Sequence, residues 1–345
     1  MSPHRNTDGR KIVVVHSLMP PDGRTKFVDQ IVDGAPDTID IRFFSWRTIL
    51  LGRYDIFHVH WPELTLRGKS PVRRFIRRRA LDAAVIKMHL TGAKLVRTMH
   101  NTAPHELGDR REDRALAKFD RNTDLFIRLN PTTDIETDVP VVTILHGHYR
   151  DRFSSIPKPP PVQGRLLYFG IIRPYKAVDQ LAAAFAGVTV PGLTLRIVGS
   201  PSVGQREIME AAAGADDRVS LDLRFVDDAE LVTEISQAEL IALPYLELHN
   251  SGSVLAALSL DRPVLVPRRA STEALADEVG RGWVYLYDGA ITAELIEKTM
   301  AELHDTPRSD PPQLGGREWS VLGEQHFDAY ARVLKCEPTR KARHE

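Results

Sequence analysis

Short apolar, β-branched runs recur along the chain and alternate with longer stretches of helical spacing. In the first part they are Lys11-Ile-Val-Val-Val15, Ile56-Phe-His-Val-His60, Leu95-Val-Arg-Thr98, Leu125-Phe-Ile-Arg-Leu129 and Val141-Val-Thr-Ile-Leu145. Near-continuous apolar runs of strand length, separated by helix-length segments, predict a parallel sheet covered by helices on both faces. The pattern stops at residues 154–164, SSIPKPPPVQG, whose four prolines disfavour helix and predict a stiff linker. It restarts with Arg165-Leu-Leu-Tyr-Phe169, Leu193 to Val198, Val219 to Leu223, Leu240 to Leu243 and Pro263 to Val266. Two open α/β, Rossmann-like domains are expected, over residues 1–153 and 165–318, followed by a closing segment over 319–345.

A length of 345 residues with 42% hydrophobic positions agrees with two cores rather than one. The formal net charge is zero, from 46 basic and 46 acidic residues. Split at the linker, residues 1–153 hold 26 Lys or Arg against 19 Asp or Glu, a net of +7, and the remainder is therefore −7. Seven cations and no acid lie between Arg67 and Arg79, with Val72, Phe75 and Ile76 at helical spacing among them, which predicts a basic amphipathic helix after Ser70-Pro71. Such a helix is either a solvated face or a dock for anionic lipid or a diphosphate-bearing acceptor. The series of aromatics that stacks on bases is missing, so nucleic acid is not expected. One cysteine, Cys336, rules out a disulfide framework and a cysteine-built metal site and fits a reducing compartment. The polar start lacks a secretory signal and no window is apolar enough to span a bilayer, so the expected address is cytoplasmic, at the inner face of the membrane if the basic helix docks there.

Ligands of doubly wound sheets bind beyond the carboxyl ends of strands, which directs attention to the polar residues after each run. In the first half these are His60-Trp61-Pro-Glu63, His100-Asn101-Thr-Ala-Pro-His105-Glu106 and His146-Gly-His148. His58-x-His60 and His146-x-His148 have the spacing of metal-ligand pairs, but alternate residues of a strand share a face, and a satisfied core role is the simpler reading for His58. No metal is expected. His100, a neutral imidazole at a strand end, is the candidate for proton chemistry. In the second half, Tyr168-Phe-Gly170-Ile-Ile-Arg173-Pro-Tyr-Lys176 is a strand, a glycine turn and two cations before a helix expected from Ala177 to Phe185. Asn250-Ser251-Gly252-Ser253 opens a second helix, expected from Val254 to Leu260. Free N–H groups at a helix start beside fixed positive charge make a phosphate site, and two such loops in one domain imply a diphosphate. Glu247, at the mouth, is placed to accept hydrogen bonds from ribose or sugar hydroxyls.

Together these segments resemble the GT-B glycosyltransferases, of the retaining family 4 type or its exopolysaccharide mannosyltransferase relatives, from Lys11 to about Leu334. His58-Val-His60-Trp-Pro matches that family's H-x-H strand end, and Thr98-Met-His100-Asn101 its T-x-H strand end. Phe169-Gly170 to Leu181 matches the segment that binds the diphosphate, and Pro244 to Val266 matches the E-x7-E stretch. The resemblance implies an acceptor in the first domain, a nucleotide sugar in the second, a cleft between them, and a last helix, Trp319 to Leu334, that returns to the first domain. It implies a hexosyltransferase with His100 and Asn101 at the reacting sugar. Donor binding falls to Gly170, Arg173, Lys176, Glu247 and Asn250 to Ser253, and acceptor binding to His60, Trp61, His105, Glu106 and His146. The donor is a nucleotide sugar such as GDP-mannose or a UDP-sugar, with no other cofactor, and the acceptor is a glycan or polyprenyl-diphosphate-linked. The chain departs from the pattern at Ala177, where the family has glycine, and at Leu248 and Ala256, where it has the two glutamates. A nucleotide-sugar epimerase and a non-catalytic sugar-binding homologue are the alternative readings.

Overall fold

A computed structural model describes residues 10–23, 26–68, 70–100, 110–247, 250–306, 308 and 310–335. The chain forms two compact units, Met1–His146 with Gly316–Glu345, and Gly147–Gly315. The first holds a six-stranded parallel sheet of β1 (Ile12–His16), β2 (Ile39–Phe43), β3 (Ile56–Val59), β4 (Lys94–Met99), β5 (Leu125–Arg128) and β6 (Val141–Thr143), in the order β2-β1-β3-β4-β5-β6. The second holds β7 (Arg165–Phe169), β8 (Thr194–Val198), β9 (Val219–Asp222), β10 (Leu240–Ala242), β11 (Val264–Pro267) and β12 (Val284–Tyr287), also parallel, in the order β12-β11-β10-β7-β8-β9.

Successive strand side chains point to opposite faces, and the cores of the first unit follow that alternation. Ile12, Val14 and Ile56 meet Trp319, Leu322, Phe327, Tyr330 and Val333 of the helix Trp319–Lys335 on one face. Val15, Phe57 and Val59 meet Leu81, Ala84, Val85 and Met88 of the helix Pro71–Thr91 on the other. The C-terminal helix reaches its face by a close backbone approach: a Cβ on Gly323 would come within 1.9 Å of the Gly34 carbonyl oxygen, so only glycine fits there. The helix Pro71–Thr91 is capped at Ser70, whose hydroxyl accepts from the Arg73 amide, and stops at Gly92 in the left-handed conformation. Among the described residues no helix is long and apolar enough to cross a membrane.

Ten strands lie where the apolar runs predicted them, within a residue or two. β2 and β12 were not expected. Each is the outermost strand of its sheet, with a single neighbour. β2 reads Ile-Asp-Ile-Arg-Phe, the apolar-polar alternation of a half-covered edge rather than the continuous run of a central strand. The unit boundaries also differ from those read off the proline segment. Residues 147–153 belong with the second unit, tied to it by the Tyr149 amide donating to Ser259 Oγ at 2.9 Å, by Arg150 donating to the Pro312 carbonyl at 2.8 Å and by the Arg152–Asp228 ion pair at 2.6 Å. The prolines of 154–164 therefore lead into β7 from inside that unit, and the first unit resumes at Gly316 instead of residue 319.

Candidate functional site

In the second sheet β7 lies beside β10, the point from which the winding proceeds in both directions and where doubly wound sheets open a crevice. The loops leaving these two strands converge there. Gly170, directly after β7, has φ +117°, and a Cβ built on it would lie 3.5 Å from Ser253 Oγ and 3.6 Å from Lys176 Nζ. Glycine thus leaves a hollow one methyl wide between a hydroxyl and an ammonium group. Lys176 ends a 3-10 turn, Pro174–Lys176, and its Nζ sits 4.7 Å from the centre of the Tyr245 ring. Tyr245 follows β10 and donates its hydroxyl to Ser253 Oγ at 3.3 Å. Ser251 caps the helix Gly252–Ser259 by accepting from the Val254 amide at 3.3 Å, so the positive end of that helix opens beside Ser253 and Lys176.

The other donor-side residues take varied places. Arg173 begins the 3-10 turn and its carbonyl accepts from the Lys176 amide at 2.9 Å, but its guanidinium is not drawn into the Gly170–Lys176–Ser253 group among the described residues. Ala177 follows Lys176 at φ +48°, ψ +37°, the left-handed region for which the family's glycine is suited, so its methyl is carried there at a cost of about 1 kcal/mol. Glu247 is exposed on the loop after Tyr245, a loop pinned by the Leu246 amide donating to the Tyr175 carbonyl at 2.9 Å. Asn250 immediately precedes the Ser251 cap. Ala256 is buried in the helix core, whereas Leu248 lies outside the described residues. Tyr245 was missed, although its place just beyond a strand was its signal.

In the first sheet the corresponding point lies between β1 and β3. His16 ends β1, His58 is on β3, His60 follows it and His100 follows β4. All four are buried and linked. His16 Nδ1 lies 2.9 Å from His60 Nε2, and His60 Nδ1 lies 3.1 Å from His100 Nε2. His58 bonds Tyr330 Oη through Nδ1 at 2.6 Å and Thr98 Oγ1 through Nε2 at 2.7 Å. Loss of hydration drives every one of these rings toward its neutral form. It lowers His16 to about 3, aided by the nearby His326, and His100 to about 3, aided by His146. His58 and His60 are held well below the ordinary histidine range by burial, reinforced by His16 at His58 and by His58 at His60, and burial takes His326 to about 4. Trp61 stacks on His100 with ring centres 4.1 Å apart, and Phe27 sets its edge against His60, Trp61 and His100. His146 completes the wall at 5.7 Å from Phe27, and its carbonyl accepts from Arg317 at 2.8 Å.

The set of strand-end histidines expected from sequence is thus redrawn. His148 belongs to the second unit, where its Nδ1 accepts from the Arg150 amide at 3.3 Å. Asn101, His105 and Glu106 lie outside the described residues. His16 and His326 join in their place, His16 because it too ends a strand and His326 because the C-terminal helix covers that face. His16, His58 and His60 each offer a ring nitrogen within 4.8 Å of the others, close enough that small shifts would let them share a metal ion. Both nitrogens of His58 and of His60 are, however, already engaged in hydrogen bonds.

Comparison with known proteins assigns the chain that carries both sites to a family. Residues 163–305 match the family model of group 1 glycosyl transferases. The GDP-mannose:glycolipid 4-beta-D-mannosyltransferase of Xanthomonas campestris pv. campestris is 43% identical over 329 residues, covering 94% of this chain and 93% of that protein. Among solved structures, Anabaena Alr3699/HepE in complex with UDP superposes with a TM-score of 0.60 at 14% identity, over 94% of this chain and 95% of its own. A glycosyltransferase from Rickettsia africae does so with a TM-score of 0.62 at 12% identity, over 95% of this chain and 100% of its own. The solved structures share the two-sheet GT-B architecture, and the identity to the Xanthomonas enzyme runs through both sheets. The chain therefore belongs to the group 1 glycosyltransferases and is a hexose-transferring enzyme of GT-B fold.

Proposed function

We propose that this glycosyltransferase moves mannose from GDP-mannose to a hydroxyl of a lipid-diphosphate-linked glycan without a bound metal. The observation that carries the reading is the convergence of Gly170, Lys176 and Ser253 at the opening of the second sheet, a hollow with a fixed cation and a helix start that suits a diphosphate leaving group. GDP-mannose and a glycolipid acceptor are taken from the 43%-identical relative, whose name states both, and the diphosphate link of that acceptor is part of the proposal. In the transfer, the C1–oxygen bond to the diphosphate breaks with its electron pair passing to the β-phosphate. Lys176, with the amides of Asn250, Ser251, Gly252 and Ser253, stabilises that growing charge, Arg173 adds a cation and Glu247 accepts from the ribose. The acceptor oxygen bonds to C1 and its proton passes to the segment carrying His105 and Glu106. His100 and Asn101 stand beside the sugar, and His60, Trp61 and His146 line the acceptor side. A β-linkage made from an α-linked donor inverts C1. With the charge handled by Lys176 and the helix, no Lewis acid is required.

A thermal-shift comparison of GDP, UDP and ADP tests the donor. GDP at a hundred times its dissociation constant is expected to add about 2.7 kcal/mol, a rise of several degrees. A shift with UDP alone would replace the base, and no shift with any nucleotide would sink the reading.

The acceptor is expected to be met at the inner face of a membrane. On the helix Pro71–Thr91, Val72, Phe75 and Ile76 are 66%, 62% and 57% exposed. Beside them opens a cavity of about 360 Å³ lined by Phe75, Arg78, Arg79, Arg111, Arg114 and Lys118. Its one acid, Asp82, is shared between Arg79 at 2.8 Å and Lys118 at 2.6 Å. Exposed apolar side chains rimmed by cations suit an anionic lipid surface. The enzyme is expected to sediment with phosphatidylglycerol vesicles and to stay in solution with phosphatidylcholine. Changing Arg78 and Arg114 to Glu is expected to weaken the former at least ~10-fold. Equal sedimentation of both proteins would remove this surface from the account.

A further inference from the structure

We infer that the cavity between the helices Pro71–Thr91 and Arg110–Asp120 is a second diphosphate site, one that holds the diphosphate link of the lipid-borne acceptor. The inference rests on the proposed acceptor class and adds where the charged part of that molecule is bound.

At about 360 Å³ the cavity has the size of a small-molecule site. Arg78 and Arg79 line it from one helix, and Arg111, Arg114 and Lys118 from the other. Asp82 is the one acid in the lining, so five cations face a single carboxylate. That carboxylate fixes two of the cations: it pairs with Lys118 at 2.6 Å across the two helices and with Arg79 at 2.8 Å, whose guanidinium lies 5.8 Å from the centre of the Phe75 ring. Arginine forks suit phosphate oxygens, and the buried Leu81, Val85 and Phe119 give the cations an apolar backing. A phosphodiester headgroup carries a single negative charge and a diphosphate diester carries two, so the diphosphate answers more of the excess. Position points the same way. β3 and β4 are parallel and the helix Pro71–Thr91 returns between them, so its Pro71 end lies on the side of the sheet where His60 and His100 sit. Phe75 is one turn in from that end, which puts the mouth of the cavity about 6 Å beyond the helix start. Arg67 pairs with Glu112 at 3.1 Å, joining the turn that follows Trp61–Leu66 to the first turn of the helix Arg110–Asp120. A glycan whose reacting end lies beside His60 and Trp61 can therefore run outward over these helices. Its diphosphate then falls at the cavity and its lipid leaves beside the exposed Val72, Phe75 and Ile76.

Calorimetric titration of the full-length protein, with GDP at saturation to fill the donor site, tests the cavity with soluble probes. Three of them join a farnesyl to a glucosyl group through a diphosphate, a monophosphate or a plain glycosidic bond, and the fourth is dihexanoyl phosphatidylglycerol. The diphosphate probe is expected to bind at least ~10-fold more tightly than the other three. Arg111→Gln combined with Arg114→Gln should weaken the diphosphate probe at least ~10-fold and leave the plain glycoside unmoved, and the corresponding pair of Lys substitutions should restore most of the loss. Equal binding of diphosphate and plain glycoside, or diphosphate binding indifferent to the Gln pair, would overturn the site. Phosphatidylglycerol binding as tightly as the diphosphate would also overturn it, by assigning the cavity to membrane headgroups. The GDP-dependent thermal shift of each variant reports whether it is folded, and if the Gln pair is not, the ranking of probes on the unaltered protein decides. Mannosyl transfer checks the acceptor reading separately. Transfer only to a phosphate-free glycolipid, with the diphosphate probe still held through Arg111 and Arg114, would overturn that reading and leave a diphosphate site in the cavity.

Discussion

Lowering the pH from 7 to 5.5 is expected to unfold the first unit. His16, His58, His60, His100 and His326 are buried with their protonation pressed far below the ordinary value of 6.5, to about 3, 3 and 4 for His16, His100 and His326. The groups facing them are each other, the uncharged Tyr330, Thr98, Trp61 and Phe27, and His146, which presses His100 down further. No carboxylate bonds His16, His58, His60 or His326 among the described residues. The unfolded chain therefore binds more protons than the folded one at every pH between the folded values and 6.5. Stability is complete above 6.5 and is lost as the pH falls below it. Each fully buried ring forfeits about 1.4 kcal/mol per pH unit, so five together forfeit about 7 kcal/mol at pH 5.5. That is comparable with the whole stability of an ordinary domain, about 5–15 kcal/mol. Urea titrations at pH 7.5, 6.5 and 5.5 would measure it. A stability unchanged between 7.5 and 5.5 would show that the rings are charged or wet in solution. The second unit, whose buried core carries no comparable cluster among the described residues, should be the later of the two to melt in acid.

This cluster also marks where the sequence was legible and where it stopped being so. His58, His60 and His100 were visible because each sits at the end of an apolar run, and parallel strands put their ends in one row. The same rule covered His16, one residue past the run Lys11 to Val15, but an isolated histidine there carries no spacing signal. His326, 226 residues beyond His100, is brought in only when the helix Trp319–Lys335 covers the first sheet, a contact no local pattern encodes. Central strands could be read because they are buried on both faces. β2 and β12, with one neighbour each, need less apolar surface and dissolve into the surrounding polarity. The proline segment advertised a break, yet the units divide before it, because burial of Tyr149 and Phe153 in the second core outweighs the stiffness of the prolines that follow. Lys176 was found from its place after a glycine turn. Tyr245 had the same strand-end signal, but its contact with that ammonium group emerged only with β7 beside β10.

Replacing Lys176 by Ala is expected to lower kcat/KM for the nucleotide sugar by about 10²–10³-fold, most of it in kcat, because the lysine acts on charge that grows as the diphosphate departs. A loss confined to KM would mean that it only holds the ground-state donor. Lys176 is half-buried and bridges a hydroxyl site and an aromatic face, so its removal leaves no cavity in the core, and the melting temperature without ligand should stay within a few degrees. Gly170→Ala attacks the same hollow without touching a charge. Its methyl would sit 3.5 Å from Ser253 Oγ and 3.6 Å from Lys176 Nζ, in the space an oxygen of the β-phosphate would need, at a φ of +117° that alanine rarely adopts. The two variants should therefore differ in kind. Lys176→Ala should still bind GDP, weakly, whereas Gly170→Ala should lose the GDP-dependent thermal shift altogether. Retention of that shift by Gly170→Ala would place the diphosphate elsewhere and with it the donor site. Unchanged kinetics in Lys176→Ala would do the same by an independent route, since no other cation among the described residues lies against Gly170.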